Sequence, residues 1–247
     1  MGTPYPRAAL TNGLRFLKVS ASLFLIAARR SRAPTVPGCR DLEENRRDHA
    51  CPARPVVSLA YHSGFGHTAV LAEAVRAAAV EAGATVHLIK VDEITEAQWE
   101  QLDASDAIVF GSPTYMGTAS GAFHTFAEAS AKRWATRAWQ DKLAAGFTNS
   151  ASKSGDKLHT LQFFTVLAAQ HGMSWVSLNL LPGWNSSTAS ENDLNRLGFF
   201  LGAAAQSPND QGAEGVHKAD IATAEHLGRR IAEQARIVVA GRAALAA

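Results

Sequence analysis

The sequence predicts an α/β protein with a central sheet of five parallel strands. Three observations lead to this prediction. Short apolar runs rich in Val, Ile, Leu and Ala recur along the chain, segments of helical length and pattern separate most of them, and turns rich in Gly, Ser and Pro lie between. Strands that alternate with helices form parallel sheets, and right-handed crossovers place the helices on both faces of the sheet.

Each predicted strand is a nearly continuous apolar run, as expected for a strand that helices cover on both faces. The first run is VVSLAY, residues 56–61, and the second is TVHLIKV, residues 85–91. The remaining predicted strands span residues 105–111, 143–148 and 174–180.

The helical segments show apolar residues on one face. In Thr68–Ala82, Leu71, Val75 and Ala78 share a face, and Gly83 follows, a residue typical of the position just after a helix. The other predicted helices span residues 119–132, 157–171 and 219–240.

Charge divides the chain into a basic extension and a mildly acidic domain. Residues 1–54 hold ten Lys/Arg and four Asp/Glu, a net charge of +6, whereas residues 55–247 hold fourteen and eighteen, a net charge of −4. We predict a disordered extension over residues 1–54, a domain over residues 55–240 and a C-terminal tail over residues 241–247. An acidic domain gives no reason to expect a nucleic-acid partner.

The extension contains an apolar stretch, Val19–Ala28, that is too short to span a membrane. An export signal and an amphipathic surface helix remain alternatives to disorder, although no clear cleavage site follows the stretch. Both cysteines, Cys39 and Cys51, lie in the extension, so the domain has no disulfide, cysteine nucleophile or thiolate metal site. This usage fits a reducing compartment, and we expect a cytoplasmic protein without stable membrane insertion.

The first strand runs into a turn, HSGFGHT, that is rich in glycine and hydroxyl groups. In an open α/β sheet, ligands bind beyond the carboxyl ends of the strands, where a helix N-terminus presents N–H groups and a partial positive charge. The turn lacks both the lysine-containing mononucleotide motif and the G-x-G-x-x-G dinucleotide motif. It therefore predicts an uncharged cradle for a phosphate, with an ordinary capped turn as the alternative.

Two further turns follow the third and fourth strands. The second, GSPTYMG at 111–117, predicts an irregular loop with Tyr115 and Met116 at its tip, where a flat aromatic ligand could lie. The third, TNSASKSGD at 148–156, is rich in small polar residues. Because the strands are parallel, all three turns meet at one edge of the sheet, and we expect them to form one site. No histidine spacing predicts a metal site.

The segments YHSGFGHT, GSPTYMG, AQHGM and WATRAWQDK together resemble the flavodoxin-like family. Within it, they are most similar to the tryptophan-repressor-binding-protein type of NAD(P)H:quinone oxidoreductase. The resemblance covers residues from about 54 to 233. It implies a three-layer sandwich with strand order 2-1-3-4-5, bound FMN, electron donation by NADPH or NADH to a quinone-type acceptor, and a homodimer or homotetramer.

The resemblance also implies residue roles. Trp134 corresponds to an aromatic that closes the substrate side of a neighbouring subunit, although it could simply pack against the domain. His171 corresponds to a histidine near the flavin, although a histidine here could also cap a helix. The implied FMN-binding residues are Ser63, Gly64, Phe65, Gly66, His67, Thr68, Pro113, Thr114, Tyr115, Met116, Gly117, Thr148, Asn149, Ser150, Ala151, Ser152, Gly155 and His171.

Two segments depart from the family pattern. The third loop has a single glycine and the lysines Lys153 and Lys157, where relatives are glycine-rich. The segment after residue 180 is also unusual, and residues 195–212 suggest an oligomer interface or an active-site lid. That segment borders the substrate face, so the sequence leaves the substrate and the choice between NADH and NADPH open. Separately, a one-electron carrier and a flavin-binding regulatory protein without turnover remain alternatives to the reductase. No side-chain nucleophile or dedicated base is expected, because the flavin carries the chemistry.

Overall fold

The computed structural model describes residues 54–247. The predicted extension, with Val19–Ala28, Cys39 and Cys51, lies outside the described residues except for Arg54. Residues 54–247 form seven strands and six α-helices, where the sequence predicts five strands and four helices. The strands are β1 (Val56–Tyr61), β2 (Thr85–Lys90), β3 (Ala107–Tyr115), β4 (Thr118–Ala119), β5 (Leu143–Ser150), β6 (Ser174–Trp175) and β7 (Ala203–Gln206). The helices are α1 (His67–Glu81), α2 (Glu96–Ala104), α3 (Gly121–Ala129), α4 (Ala131–Thr136), α5 (Lys157–Gln170) and α6 (Lys218–Ala246).

The strand order is β2-β1-β3-β5-β6, and these neighbours are all parallel. Since β5 and β6 are the fourth and fifth predicted strands, the expected order 2-1-3-4-5 is confirmed. The short β4 turns back antiparallel on the end of β3. The carboxyl ends of β1, β3 and β5 therefore open onto one edge of the sheet, where the three loops lie.

The fifth strand position is filled by two separate pieces. β6 pairs with the start of β5, at Leu143 and Ala144, while β7 pairs with its end, from Phe147 to Ser150. Residues 176–202 form an insertion between the two pieces.

The prediction of one strand over residues 174–180 is wrong, because other partners take its backbone groups. Leu178 N–H donates to the Phe200 carbonyl at 2.9 Å. The Leu178 carbonyl accepts from His226, and the Ser177 carbonyl accepts from Arg230. These groups are thus paired with α6 and the end of the insertion rather than with β5.

Two buried cores lie on opposite faces of the sheet and give the three layers. One core joins the sheet to α1 and α6, and it includes Leu71, Val75, Leu227 and Ile231. The other joins the sheet to α2, α3 and α5, and it is rich in aromatic rings. Its largest buried side chains are Phe110, Phe123, Phe126, Trp139 and Phe164.

Helix boundaries differ from the predicted ones in three places. The helix expected over residues 119–132 is two helices, α3 and α4, that meet at Ser130. The sequence reasoning missed α2, which Thr95 begins with a capping box to Gln98. The last helix continues beyond residue 240 to Ala246, through the segment assigned as a tail. Within residues 54–247, no helix combines the length and apolar character needed to cross a membrane.

Candidate functional site

A pocket of about 560 Å³ opens at the carboxyl edge of the sheet. Its walls come from all three predicted loops and from the segment after β7. Among the described residues, none that lines the pocket is Lys, Arg, Asp or Glu, so the pocket carries no fixed charge. The lining residues are Phe65, His67, Thr68, Pro113, Thr114, Tyr115, Met116, Asn149, Ser150, Ala151, Ser207 and Asn209.

The first loop, residues 62–66, carries the chain from β1 into α1. Gly66 stands before the helix with φ of 89°, a conformation that residues with a Cβ rarely adopt. Ser63 Oγ accepts from the Ala69 N–H at 3.1 Å and fixes the loop on the first helical turn. His67 and Thr68 begin α1 and line the pocket, so the positive end of the helix dipole borders it.

Gly64 makes room for the aromatic pair at the pocket mouth. A Cβ on Gly64 would lie 2.5 Å from Tyr115 Oη. Tyr115 and Phe65 meet edge to face, with ring centroids 6.3 Å apart. Phe65 is 77% exposed and Tyr115 is 36% exposed, and partial burial raises the pKa of the Tyr115 phenol. Both rings thus present apolar surface to a ligand.

The second loop is more regular than predicted. Instead of forming an irregular loop from residue 111, the chain continues β3 through Tyr115 and turns back into β4. Only Met116 and Gly117 form the turn, and both have positive φ, at 50° and 85°. Met116 is fully exposed at the tip, and His159 on α5 bonds the Gly117 carbonyl at 2.7 Å.

A buried cluster of hydroxyl groups joins the second and third loops under the pocket. Thr114 Oγ1 lies 2.8 Å from Thr148 Oγ1 and 2.7 Å from Thr160 Oγ1. The cluster connects β3, β5 and α5, so it fixes the relative positions of the loops that follow these strands. Beside it, Ser207 Oγ donates to Asn149 Oδ1 at 3.0 Å.

Sequence reasoning missed Ser207 and Asn209 as lining residues. They follow β7, whose existence depends on the split strand, although the Ser-Pro-Asn-Asp turn at 207–210 was an available signal. The same segment reaches α1, where His67 Nε2 lies 2.9 Å from the Gln211 carbonyl. This places part of the predicted lid or interface segment in the pocket wall.

The remaining candidate residues divide into two groups. Members of the first lie in the loops but do not line the pocket; they are Ser63, Gly64, Gly66, Gly117, Thr148, Ser152 and Gly155. The second group is Trp134 and His171, which lie at the other end of the sheet. Trp134 is 53% exposed on α4, which leads away from the pocket edge. His171 ends α5 immediately before β6 begins.

His171 is packed into the aromatic core. Ser130 Oγ lies 2.7 Å from the Ala127 carbonyl and 2.9 Å from His171 Nε2. The imidazole lies 4.3 Å from the Trp139 ring, and burial lowers the pKa of His171 to about 4. His171 therefore packs in the core and does not reach the pocket of its own chain. No group of three His, Cys, Asp or Glu side chains suited to a metal ion occurs among residues 54–247.

The fold and pocket define a three-layer α/β protein with an uncharged ligand site at the carboxyl edge of its sheet. Comparison with known proteins agrees with that class. The family described as NADPH-dependent FMN reductase matches residues 59–181. The chain is 45% identical to Flavodoxin FldP from Pseudomonas aeruginosa, over 70% of this chain and 92% of that protein.

Two further similarities extend the comparison. The chain is 31% identical to an NAD(P)H dehydrogenase (quinone) from Archaeoglobus fulgidus, over 71% of this chain and 94% of that protein. The crystal structure of a WrbA-like flavodoxin from Agrobacterium tumefaciens superposes with a TM-score of 0.59 at 42% identity, over 74% of this chain and 98% of that one. The chain belongs to the flavodoxin-like family that includes these proteins, and the expected fold is confirmed.

Proposed function

We propose that this chain is an FMN-dependent oxidoreductase that passes two electrons from NADPH or NADH to a quinone-type acceptor. The observation that carries the proposal is the pocket itself: three loops and a helix N-terminus converge on one uncharged site at the carboxyl edge of the sheet. The family match to NADPH-dependent FMN reductases and the NAD(P)H dehydrogenase (quinone) relatives support the same activity.

The residues present fit FMN. The helix N-terminus at His67 and Thr68 offers N–H and hydroxyl donors to a phosphate without a lysine. Phe65, Tyr115 and Met116 offer apolar surface to a flat ring at the mouth. The Gly64 position supports this fit, because any side chain there would displace Tyr115. When bound, FMN supplies the redox chemistry that the side chains of the site lack.

The protein would position the cofactor and leave one side of it open. The hydroxyl cluster under the pocket holds two loops in register, which keeps the binding groups pre-organised. Exposed Phe65 and Met116 leave the mouth accessible to a nicotinamide and then to a quinone. Hydride donor and acceptor would use this opening in turn.

Trp134 would act on the pocket of a second subunit. It is half-exposed and lies at the far end of the sheet from its own pocket, so within one chain it has no route to the acceptor. In a homodimer or homotetramer, the surface that carries Trp134 would face the pocket of a neighbouring subunit, and Trp134 would form an aromatic wall of that pocket. A cytoplasmic location belongs to the same proposal.

A second candidate is a one-electron carrier. The 45% identity to Flavodoxin FldP favours it, and residues 55–247 have the acidic balance, net −4, that carriers use for docking. That balance is modest for a docking surface, whereas the family match to nicotinamide-dependent reductases favours turnover.

An anaerobic visible spectrum tests the proposal. Purified protein with one equivalent of FMN is mixed with NADPH, then separately with NADH, and menadione is added afterwards. Direct two-electron bleaching within seconds and recovery with the quinone are the expected results. Bound flavin that neither nucleotide reduces, but that dithionite reduces one electron at a time, would replace the reductase with the carrier. If the protein does not retain FMN, both the reductase and the carrier are ruled out.

A further inference from the structure

Lys157 is a buried lysine that the proposed reaction does not use. It is the first residue of α5, directly after the third loop, and its relative exposure is 0%. A buried ammonium group is costly unless its donors are paired. In the described chain Lys157 makes no ion pair with a carboxylate; its partners are neutral oxygen atoms.

All three ammonium donors are used on the third loop. Lys157 Nζ donates to Ser150 Oγ at 2.8 Å, to the Ser152 carbonyl at 2.7 Å and to the Lys153 carbonyl at 2.8 Å. An ammonium group has three N–H donors, so the loop saturates it. Residues 150–153 therefore wrap around one cation, which sets their path.

This arrangement links the cation to the pocket wall. Ser150 lines the pocket, and its hydroxyl donates to the Ser152 carbonyl while accepting from Lys157. Asn149 and Ala151, on either side of Ser150, also line the pocket. Lys157 itself does not line it, so any effect on a ligand acts through the loop.

The insertion and α6 enclose Lys157 from behind. The ammonium lies 6.0 Å from the Phe199 ring. The charged groups that face it are Arg196 in the insertion and Asp220 on α6, which pair with each other through two hydrogen bonds of 2.8 and 2.7 Å. Their charges largely cancel, so burial dominates and lowers the pKa of Lys157 to about 8.

We propose that Lys157 is a positioning residue for the cofactor: its buried ammonium holds the third loop in the shape that forms the pocket wall. It would do here what glycine-rich sequence does in the loop pattern that the family resemblance implies. The proposal rests on the proposed function for its ligand, FMN, but the loop-ordering role can be measured without it.

The direction of the pH effect distinguishes loop ordering from unfolding. A neutral amine has only two donors and a lone pair, so the loop loses its arrangement as pH rises through about 8, and FMN affinity should fall. Global stability moves the other way. Because the folded-state pKa is below the ordinary 10.5, the unfolded chain binds the proton more tightly, and this residue's contribution to folding stability rises between about 8 and 10.5.

Lys142 provides a matched control. It is also a partly buried lysine with a lowered pKa whose Nζ donates to backbone carbonyls, those of Asp103 and Ser105 at 2.7 and 2.5 Å. It precedes β5, at the opposite end of the strand from the third loop. Lys142→Met removes the same chemistry from a site away from the pocket.

The experiment measures FMN dissociation constants by flavin fluorescence for the full-length wild type, Lys157→Met and Lys142→Met between pH 6.5 and 9.5. We expect Lys157→Met to weaken binding about tenfold or more at pH 7 and Lys142→Met to retain wild-type affinity. The affinities of the wild type and of Lys142→Met, which both keep Lys157, should fall above pH 8, whereas that of Lys157→Met should not. Equal affinity of Lys157→Met and wild type, or equal losses in both variants, would overturn the proposal. If Lys157→Met does not fold, the pH dependence of FMN affinity in the wild type and in Lys142→Met decides. Affinity that does not change with pH in both proteins overturns the proposal.

Hydrogen exchange of the apo proteins separates this proposal from the proposed function. Should the wild type not bind FMN, the cofactor assignment fails, and exchange in residues 150–156 still tests the loop. Faster exchange there in Lys157→Met than in Lys142→Met supports the positioning role. Identical exchange in the two variants contradicts it.

Discussion

The first and third loops of the pocket are shaped in different ways. The first loop takes its path from its own backbone, through Gly66 at φ of 89° and the bond from the Ala69 N–H to Ser63. The third loop takes its path from a side chain, the buried ammonium of Lys157, around which its carbonyls are arranged. Both present an uncharged surface to the same pocket.

The comparison shows that local and distant parts of the sequence control different walls of one site. The path of the first loop is set within it by Gly66 and Ser63, and its contacts to Gly111 and Tyr115 are with the central strand β3. The third loop depends on Lys157, and Lys157 is enclosed by Phe199, Arg196 and Asp220, which come much later in the chain. Damage to the insertion or to the start of α6 should therefore affect the third loop and spare the first.

Breaking the buried ion pair should have the largest effect. Arg196→Met leaves Asp220 buried and unpaired, and we expect a loss of about 3–5 kcal/mol in the free energy of unfolding. Denaturant unfolding measures that loss, and hydrogen exchange should increase in the third loop but not in the first. The double variant Arg196→Met with Asp220→Leu should recover much of the loss, since neither member of the pair is then left as an uncompensated buried charge. If hydrogen exchange increased equally in the first and third loops, the proposal that the insertion and α6 control only the third loop would be contradicted.

A substitution that strains the backbone of the first loop should have an intermediate effect. Gly66→Ala forces a Cβ into a rarely populated conformation, and we expect a loss of about 1–3 kcal/mol in the free energy of unfolding together with weaker FMN binding. Gly83→Ala is the control, because Gly83 has a similar φ of 92° after α1, remote from the pocket. It should lose comparable stability and keep FMN affinity. Matching losses of affinity in the two variants would show that Gly66 has no specific role in the site.

The smallest effect is expected from the exposed ring of the first loop. Phe65→Ala should change the free energy of unfolding by no more than about 0.5 kcal/mol, because the side chain is 77% exposed and its ring meets that of Tyr115 only edge to face. Thermal or denaturant unfolding measures this directly. A loss above about 1 kcal/mol would mean that the ring pair, rather than the backbone, holds the first loop.

Much of the fold was predictable because its central strands are determined locally. β1, β3 and β5 are continuous apolar runs, buried on both faces, and such runs have few alternatives. The split between β6 and β7 was not predictable in the same way. The segment 174–180 has the composition of a strand, and only distant partners, among them His226 and Arg230, determine that most of it leaves the sheet.

The residues of the candidate site were likewise predictable where local sequence determines them, and not where distant residues do. Glycine and hydroxyl patterns located the first two loops, and ten of the candidate residues line the pocket. The lysines of the third loop were recognised only as a departure from the family pattern. A sequence does not show that Lys157 points inward, because lysine is ordinarily exposed and its burial depends on acceptors that the folded loop supplies. Ser207 and Asn209 were missed because β7 was missed.

The split fifth position also bears on how the protein avoids aggregation. An outermost strand presents unpaired N–H and C=O groups that can template pairing with another chain, and short or interrupted edges reduce that hazard. Here the edge beyond β5 consists of two short pieces, Ser174–Trp175 and Ala203–Gln206, separated by the insertion. A second molecule therefore meets no continuous strand edge on this side of the sheet, which reduces the tendency of this edge to pair with another chain.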